Sequence, residues 1–233
     1  GAWTTDMLRD AAEYHEGRVD ALSESEIQEV YDLYEQDWAE WPTDLGAPFI
    51  DRDGDGVYTA PPPFSSTFTV DDLITGGYDE PGMAGGDPNS PADQVMWNVA
   101  NDLDRNRTIA MEGSEPIGLE VQRTIWGYKR TDALGSIFFR QTLLINKGGV
   151  DIDESGTKGS LWIKDMYVGQ WSDPDLGAFS DDLVGCDTSL SMGYIYNGNA
   201  VDREYARYGQ VVPAAGYDFL AGPIVPAGGD TTA

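Results

Sequence analysis

In the run IDRDGDGVYTAPP, Ile50 to Pro62, Asp51, Asp53 and Asp55 stand at alternate positions, with Gly54 before the last of them and Gly56 after it. Carboxylates this crowded repel one another at neutral pH unless a cation lies between them. The spacing follows the first half of a calcium loop: side-chain oxygens at relative positions 1, 3 and 5, a glycine at 6 for the sharp turn, and a backbone carbonyl at 7, here that of Val57. Calcium is the expected cation because it takes many oxygens at once, and alternate aspartates in a tight turn converge on one point. The competing reading is a Gly/Asp turn with solvated carboxylates. The loop departs from an EF-hand, since the twelfth position is Pro62 and no helix can follow through Pro61–Pro63. A further acid must then come from elsewhere, with Asp79, Glu80 and Asp87 as candidates.

A second acidic constellation is WSDPDLGAFSDDLVGCDT, which carries Asp173, Asp175, Asp181, Asp182 and Asp187 between two expected strands. Asp173, Asp175, Asp181 and Asp182 are the expected ligands of a second calcium. Against this stands the use of aspartate in Asx-turns and hairpin caps, which needs no metal. Asn101, Asp102 and Asp104 in NDLDRNRT form a weaker candidate, and DIDESG from Asp151 reads as a solvated loop. Asn106-Arg-Thr108 matches a glycosylation sequon, and Asp230-Thr-Thr an O-linked acceptor.

For catalysis the residues offer little. The chain holds 41 Asp and Glu, so two carboxylates that might act as acid and base are expected by chance. Glu120, on an expected strand, is the most enzyme-like of them, but a salt bridge or a wet sheet face is the use expected of it. No phosphate-binding glycine loop, redox motif or nucleophile elbow is present. His15 is the single histidine and Cys186 the single cysteine, which removes His-rich zinc sites, a disulfide within the chain and, in practice, a Ser-His-Asp triad. No catalytic residue and no organic cofactor is assigned.

The elements that must position these loops are legible in part. Against the 41 acids stand 14 Lys and Arg, a net charge of −27 over 233 residues. That balance excludes nucleic-acid binding, which needs basic residues against phosphate, and attraction to an anionic membrane surface. No run of about 18 apolar residues exists to insert into a bilayer. Residues 1–42 are read as an N-terminal helical segment whose centre is LSESEIQEVYDLYEQDWAEWP. There Ser23 and Glu26 make a capping box, Ile27, Val30, Tyr31, Tyr34 and Trp38 a helical stripe, and Pro42 the stop. Residues 43–226 are read as a β domain whose first part, to about Asp93, is a Gly/Pro/Asp-rich stretch that is either a linker or a loop organised by metal, the acidic turns favouring metal. IGLEVQRTIWGYKR and SIFFRQTLLINK then read as a long hairpin about TDALG, and SLWIKDMYVGQW and SLSMGYIYN as further strands. Leu119, Val121 and Ile125 fall on one face and Trp126 and Tyr128 on the other, which suits an antiparallel β-sandwich covered on both sides. Residues 227–233 read as a linker or the start of a further region. The chain opens without methionine, so a processed form or a piece of a longer protein is expected.

Several of these stretches together, PTDLGAPFIDRDGDGVY, ADQVMWNVANDLD, PIGLEVQRTIWGY, QWSDPDLG, DDLVGCDTSLSMGYIYN and GYDFLAGPIVP, resemble a calcium-binding-loop β module of large secreted and cell-surface proteins of Bacteroidetes-related bacteria, proteins that end in a type IX secretion sorting domain. The resemblance runs from about Pro42 onward. It implies a mainly β fold, an extracellular or cell-surface location, and bound calcium with the matching aspartates as ligands. In such proteins the sequence after GPIVP runs on, so the resemblance implies a fragment or a cleaved form. The expected function is a calcium-stabilised structural or adhesive surface protein, extending to a repeating filament subunit, with self-association, other surface proteins or glycans as partners. The alternatives are a carbohydrate-binding module and a sandwich-fold polysaccharide-degrading enzyme.

Overall fold

The computed structural model describes residues 3–63, 67–83, 86, 87, 89–151, 154–159 and 162–224, with Val70 by its backbone only. The chain packs as two units, Gly1–Ile163 and Lys164–Ala233. The division falls inside the stretch read as one domain, and residues 227–233 lie outside the described ones. Antiparallel β structure dominates, in three separate sheets. That much of the expected sandwich is what the structure shows.

The first unit opens with two helices, α1 (Thr5–Tyr14) and α2 (Glu24–Ala39), where the sequence predicts only the second. The capping box at the start of α2 is formed: Ser23 Oγ accepts the Glu26 N–H, and Glu26 accepts the Ser23 N–H at 2.8 Å. The Ser23 amide and hydroxyl hold the Glu26 carboxyl below its usual range. The apolar stripe of α2 meets α1 in a small core of Ala11, Ile27 and Val30, flanked by Trp3, Met7, Leu8 and Leu22. Fully burying an aliphatic side chain contributes about 1.5–3 kcal/mol, and this contact turns two short helices into one packed pair. Further along the same stripe, the Trp38 indole leaves the pair and donates to the carbonyl of Asp79.

The Gly/Pro/Asp-rich stretch is not structureless. It contains strand β1 (Phe49–Ile50), helix α3 (Val70–Gly76) and strand β2 (Glu80–Pro81), with β1 and β2 paired antiparallel. ADQVMWNVANDLD supplies a further strand, β3 (Gln94–Asn101), followed by α4 (Arg105–Glu112), which carries Asn106. The expected hairpin is present as β4 (Leu119–Gly127) and β5 (Phe138–Asn146), giving the sheet order β3-β4-β5. Its register sets Leu119, Val121 and Ile125 on one face and Trp126 on the other, as alternation requires. Trp97, Gln122 and Thr124 share the face of Trp126, and the Gln122 amide donates to the Leu45 carbonyl, so the turn after α2 lies against that side. SLWIKDMYVGQW does not form its expected strand. Ser160 and Leu161 lie outside the described residues, and from Trp162 to Trp171 no ladder partner is present among those described. Asp165, at φ 54°, turns the backbone out of the extended region in mid-run.

The second unit holds β6 (Asp182–Asp187), β7 (Met192–Asn197), helix α5 (Arg203–Ala206) and β8 (Ala214–Asp218), in sheet order β6-β7-β8. Its buried apolar residues are Leu176, Ala178 and Ile195. Asp202, 2% exposed, ties the unit together. Its carboxylate accepts the N–H groups of Glu204 and Tyr205 at the start of α5 and that of Ala178, 24 residues earlier. The Tyr205 N–H is the main cause that holds the Asp202 carboxyl below its ordinary 3.8, joined by the amides of Ala178 and Glu204 against the opposing effect of burial. A carboxyl with a lowered folded pKa adds stability that is fully present above its unfolded value and is lost as pH falls through the folded one. Amide signals of Ala178 and Tyr205 are therefore expected to report loosening of this unit only as pH drops below about 4. Asp202→Asn should weaken the unit at pH 7 and flatten that acid response. Asp187, also lowered, leaves a residual slope of the same sign. An unchanged response in Asp202→Asn would remove Asp202 from the account.

Candidate metal centre

The loop after β1 turns on two glycines. Gly54 and Gly56 both sit at φ 77°, in the left-handed region that other residues enter only with strain. Each turn hands a backbone N–H to an aspartate. Asp51 accepts from Gly54 at 2.6 Å through Oδ1 and from Gly56 at 2.9 Å through Oδ2. Asp53 Oδ1 accepts the Asp55 N–H, and Asp55 Oδ1 accepts the Val57 N–H at 2.7 Å. The chain thereby coils around its own carboxylates, and one oxygen from each of Asp51, Asp53 and Asp55 lies within 4.8 Å of the others. Ca–O distances are about 2.3–2.6 Å, so oxygens on opposite sides of one calcium are about 5 Å apart, and the three fit a single ion. A carboxylate has about four acceptor positions, so accepting an amide leaves capacity for a cation. Asp51 is half-buried and Asp53 and Asp55 are exposed, an arrangement open to ions from solvent.

The candidates for the missing acid do other work. Asp79 is fully buried. Its Oδ1 accepts the Arg52 N–H and its Oδ2 the Thr59 N–H, each at 2.8 Å, while its own N–H donates to the Thr59 carbonyl. One side chain thus closes both ends of the loop. Glu80 pairs with the Arg52 guanidinium in a largely buried ion pair, and Asp87 accepts from the backbone and side chain of Asn89. Tyr58, between loop and helix, donates to the Trp38 carbonyl at 2.7 Å and meets Phe49 edge-on. Burial, and next the carboxylates of Asp79 and Glu80, push its phenol well above the usual tyrosine range.

The second constellation is not brought together. Among the described residues the 51/53/55 group is the one set of three or more acids that converges in this way, and Asp173, Asp175, Asp181 and Asp182 are not part of such a set. Asp173 and Asp175 are exposed, Asp181 accepts from the Asn199 amide, and Asp182 opens strand β6 instead of lying in a loop. Asp182 Oδ2 accepts the Leu176 N–H. Asp102, a weak candidate from sequence, takes three backbone N–H groups, from Ile117, Gly118 and Leu119. Asp104 caps α4. Asp151 accepts from Ser155 and Gly156; Asp153 lies outside the described residues, as do Asp230 and its threonines. Glu120 accepts from Gln122 and pairs with Lys147 at 3.2 Å, and these partners, Gln122 first, lower its pKa. A glycosidase general acid needs the opposite shift.

Sequence reasoning did not identify Asp79, Asp102 and Asp202 as clamps. For Asp202 a signal existed, an aspartate directly before the helix-forming run REYA. Asp79 and Asp102 act on amides 15 to 27 residues away, where no local pattern points. No family model, curated protein or solved structure matches the chain.

Asp79→Ala leaves the amides of Arg52 and Thr59 without their acceptor at a buried site. The expected loss is about 2–4 kcal/mol, read from urea unfolding monitored by tryptophan fluorescence. A loss below about 1 kcal/mol would mean that the loop base is held closed by other contacts.

Proposed function

We propose that the chain is a calcium-stabilised structural or adhesive module of an extracellular surface. The observation that carries this reading is the convergence of Asp51, Asp53 and Asp55 within 4.8 Å on a loop whose ends are already fixed by a buried aspartate. Cation binding there neutralises charge that a chain of net −27 must otherwise hold apart. Extracellular calcium modules work at Kd values of about 10⁻⁴–10⁻³ M, which millimolar calcium outside a cell keeps filled. The sequence resemblance to secreted surface proteins supports the same location. A structural role is favoured over a catalytic one by Glu120, the one enzyme-like carboxylate, whose neighbours stabilise its charged form. Self-association into larger assemblies completes the proposal.

Thermal unfolding in 2 mM calcium, in excess chelator, and in chelator with magnesium tests it. A site with Kd of about 10⁻⁴ M gains about 1.8 kcal/mol at that concentration, or roughly 5 °C in Tm for a unit of this size. Asp53→Ala together with Asp55→Ala is expected to abolish the shift. Equal midpoints in calcium and chelator would overturn the cation reading, and a monomer in sedimentation at high protein concentration with calcium would remove the assembly part.

A further inference from the structure

The sheet of the second unit carries apolar side chains on both faces. Ile195 is buried and shares its face by register with Val184 and Ala215, both exposed. The opposite face of an antiparallel sheet ordinarily carries polar residues to water. Here it presents Tyr194 and Tyr196, with Leu183 beside Tyr196 and Gly185 and Gly216 on either side of Tyr194. The two rings lie 6.1 Å apart at 34° and stay 37% and 43% exposed. Gly185 is required for this layout, because a Cβ there would stand 2.5 Å from Tyr194 Cζ, so the outer end of the ring lies down across the neighbouring strand.

We infer that this face is a docking platform for a neutral polysaccharide, with pyranose C–H faces stacked on Tyr194 and Tyr196. Two observations select that occupant. Three strands about 4.8 Å apart and five or six residues long present about 300 Å², far short of the roughly 800 Å² per partner of a stable protein interface but enough for a few sugar rings. The strands of this sheet carry no Lys or Arg, and the platform ends in Asp187 and Asp218, both in register with Met192. Carboxylates accept hydrogen bonds from sugar hydroxyls and repel anionic polymers and acidic copies of the same chain. This site stands independently of the cation loop.

The test is affinity electrophoresis of the full chain in 2 mM calcium through gels containing hydroxyethylcellulose, laminarin or galactomannan, with polygalacturonate as the anionic control. Retardation by at least one neutral polymer and none by polygalacturonate is expected. Tyr194→Ala and Tyr196→Ala should each weaken it about tenfold, while Tyr194→Phe retains it. Since Tyr194 packs on Gly185, the more exposed Tyr196→Ala decides the matter, with the sheet checked by the amide signal of Ile195. Asp53→Ala should bind as the wild type does, which separates this outcome from that of the cation reading. The proposal is overturned if no neutral polymer retards the chain, if polygalacturonate alone does, if Tyr196→Ala binds unchanged, or if light scattering shows a dimer that Tyr196→Ala dissociates.

Discussion

The bond on which this chain most depends is that between an aspartate carboxylate and the backbone amides of a distant segment. Much of the polypeptide runs outside helices and long strands, and a buried peptide N–H without an acceptor is costly wherever it occurs. Asp79 supplies two acceptors for the ends of the 52–59 loop, Asp102 three for the approach to β4, and Asp202 three that join α5 to Ala178. Each bond is charge-assisted and about twice as strong as a neutral one. The acidic composition is therefore part of the architecture as well as a property of the surface.

That solution creates the chain's main electrostatic difficulty. Only 14 basic side chains face 41 acidic ones, and most ion pairs, such as Arg18–Asp20 and Lys129–Asp6, are exposed and individually weak. Arg52–Glu80 is the exception, and its burial beside Asp79 makes it part of the loop's base. Elsewhere charge must be relieved by solvent or by cations. A carboxylate that accepts an amide with one lone pair keeps another free for a cation, so the part Asp51 plays in loop folding is compatible with the metal binding proposed for it. For Asp51 the turn reading of the sequence describes the hydrogen bonds present, and the proposed metal reading does not compete with it.

Local pattern in the sequence led to correct elements at α2 and at the β4–β5 hairpin, although the equally local α1 was not read. The α2 helix was legible from Ser23, Glu26 and its apolar stripe, and the β4–β5 hairpin from alternation on either side of a turn. The 51/53/55 cluster was legible because three residues in one turn have nowhere to go but toward each other. Contacts across long separations were not. Alternating Asp173 and Asp175 with the pair Asp181–Asp182 look like a wrapped ion, yet Asp182 is drawn into a strand whose register is set by Asn197. SLWIKDMYVGQW has the composition of a strand without, among the described residues, a ladder to join, since propensity describes fit to a neighbour that the run itself does not contain. Glu120 reads as a salt-bridge or wet-sheet-face residue more than as a catalytic one, and it pairs with Lys147, which the turn after β5 places beside it, and accepts from Gln122.

The helix and the loop are coupled through a short closed circuit. Trp38 donates to the Asp79 carbonyl, Tyr58 donates to the Trp38 carbonyl, and Asp79 holds Arg52 and Thr59 on either side of the aspartate turn. A loop of this length left free would lose about 1–2 kcal/mol of backbone entropy per residue on closing around an ion. With both ends held by a buried carboxylate and the turns set by Gly54 and Gly56, most of that ordering is complete before an ion arrives. Preorganisation of this kind raises affinity without any added ligand, which matters for a site whose protein carboxylates number three among the described residues. The apolar stripe of α2 therefore bears on the proposed cation site at a distance: it positions Trp38, which holds Asp79, which closes the loop.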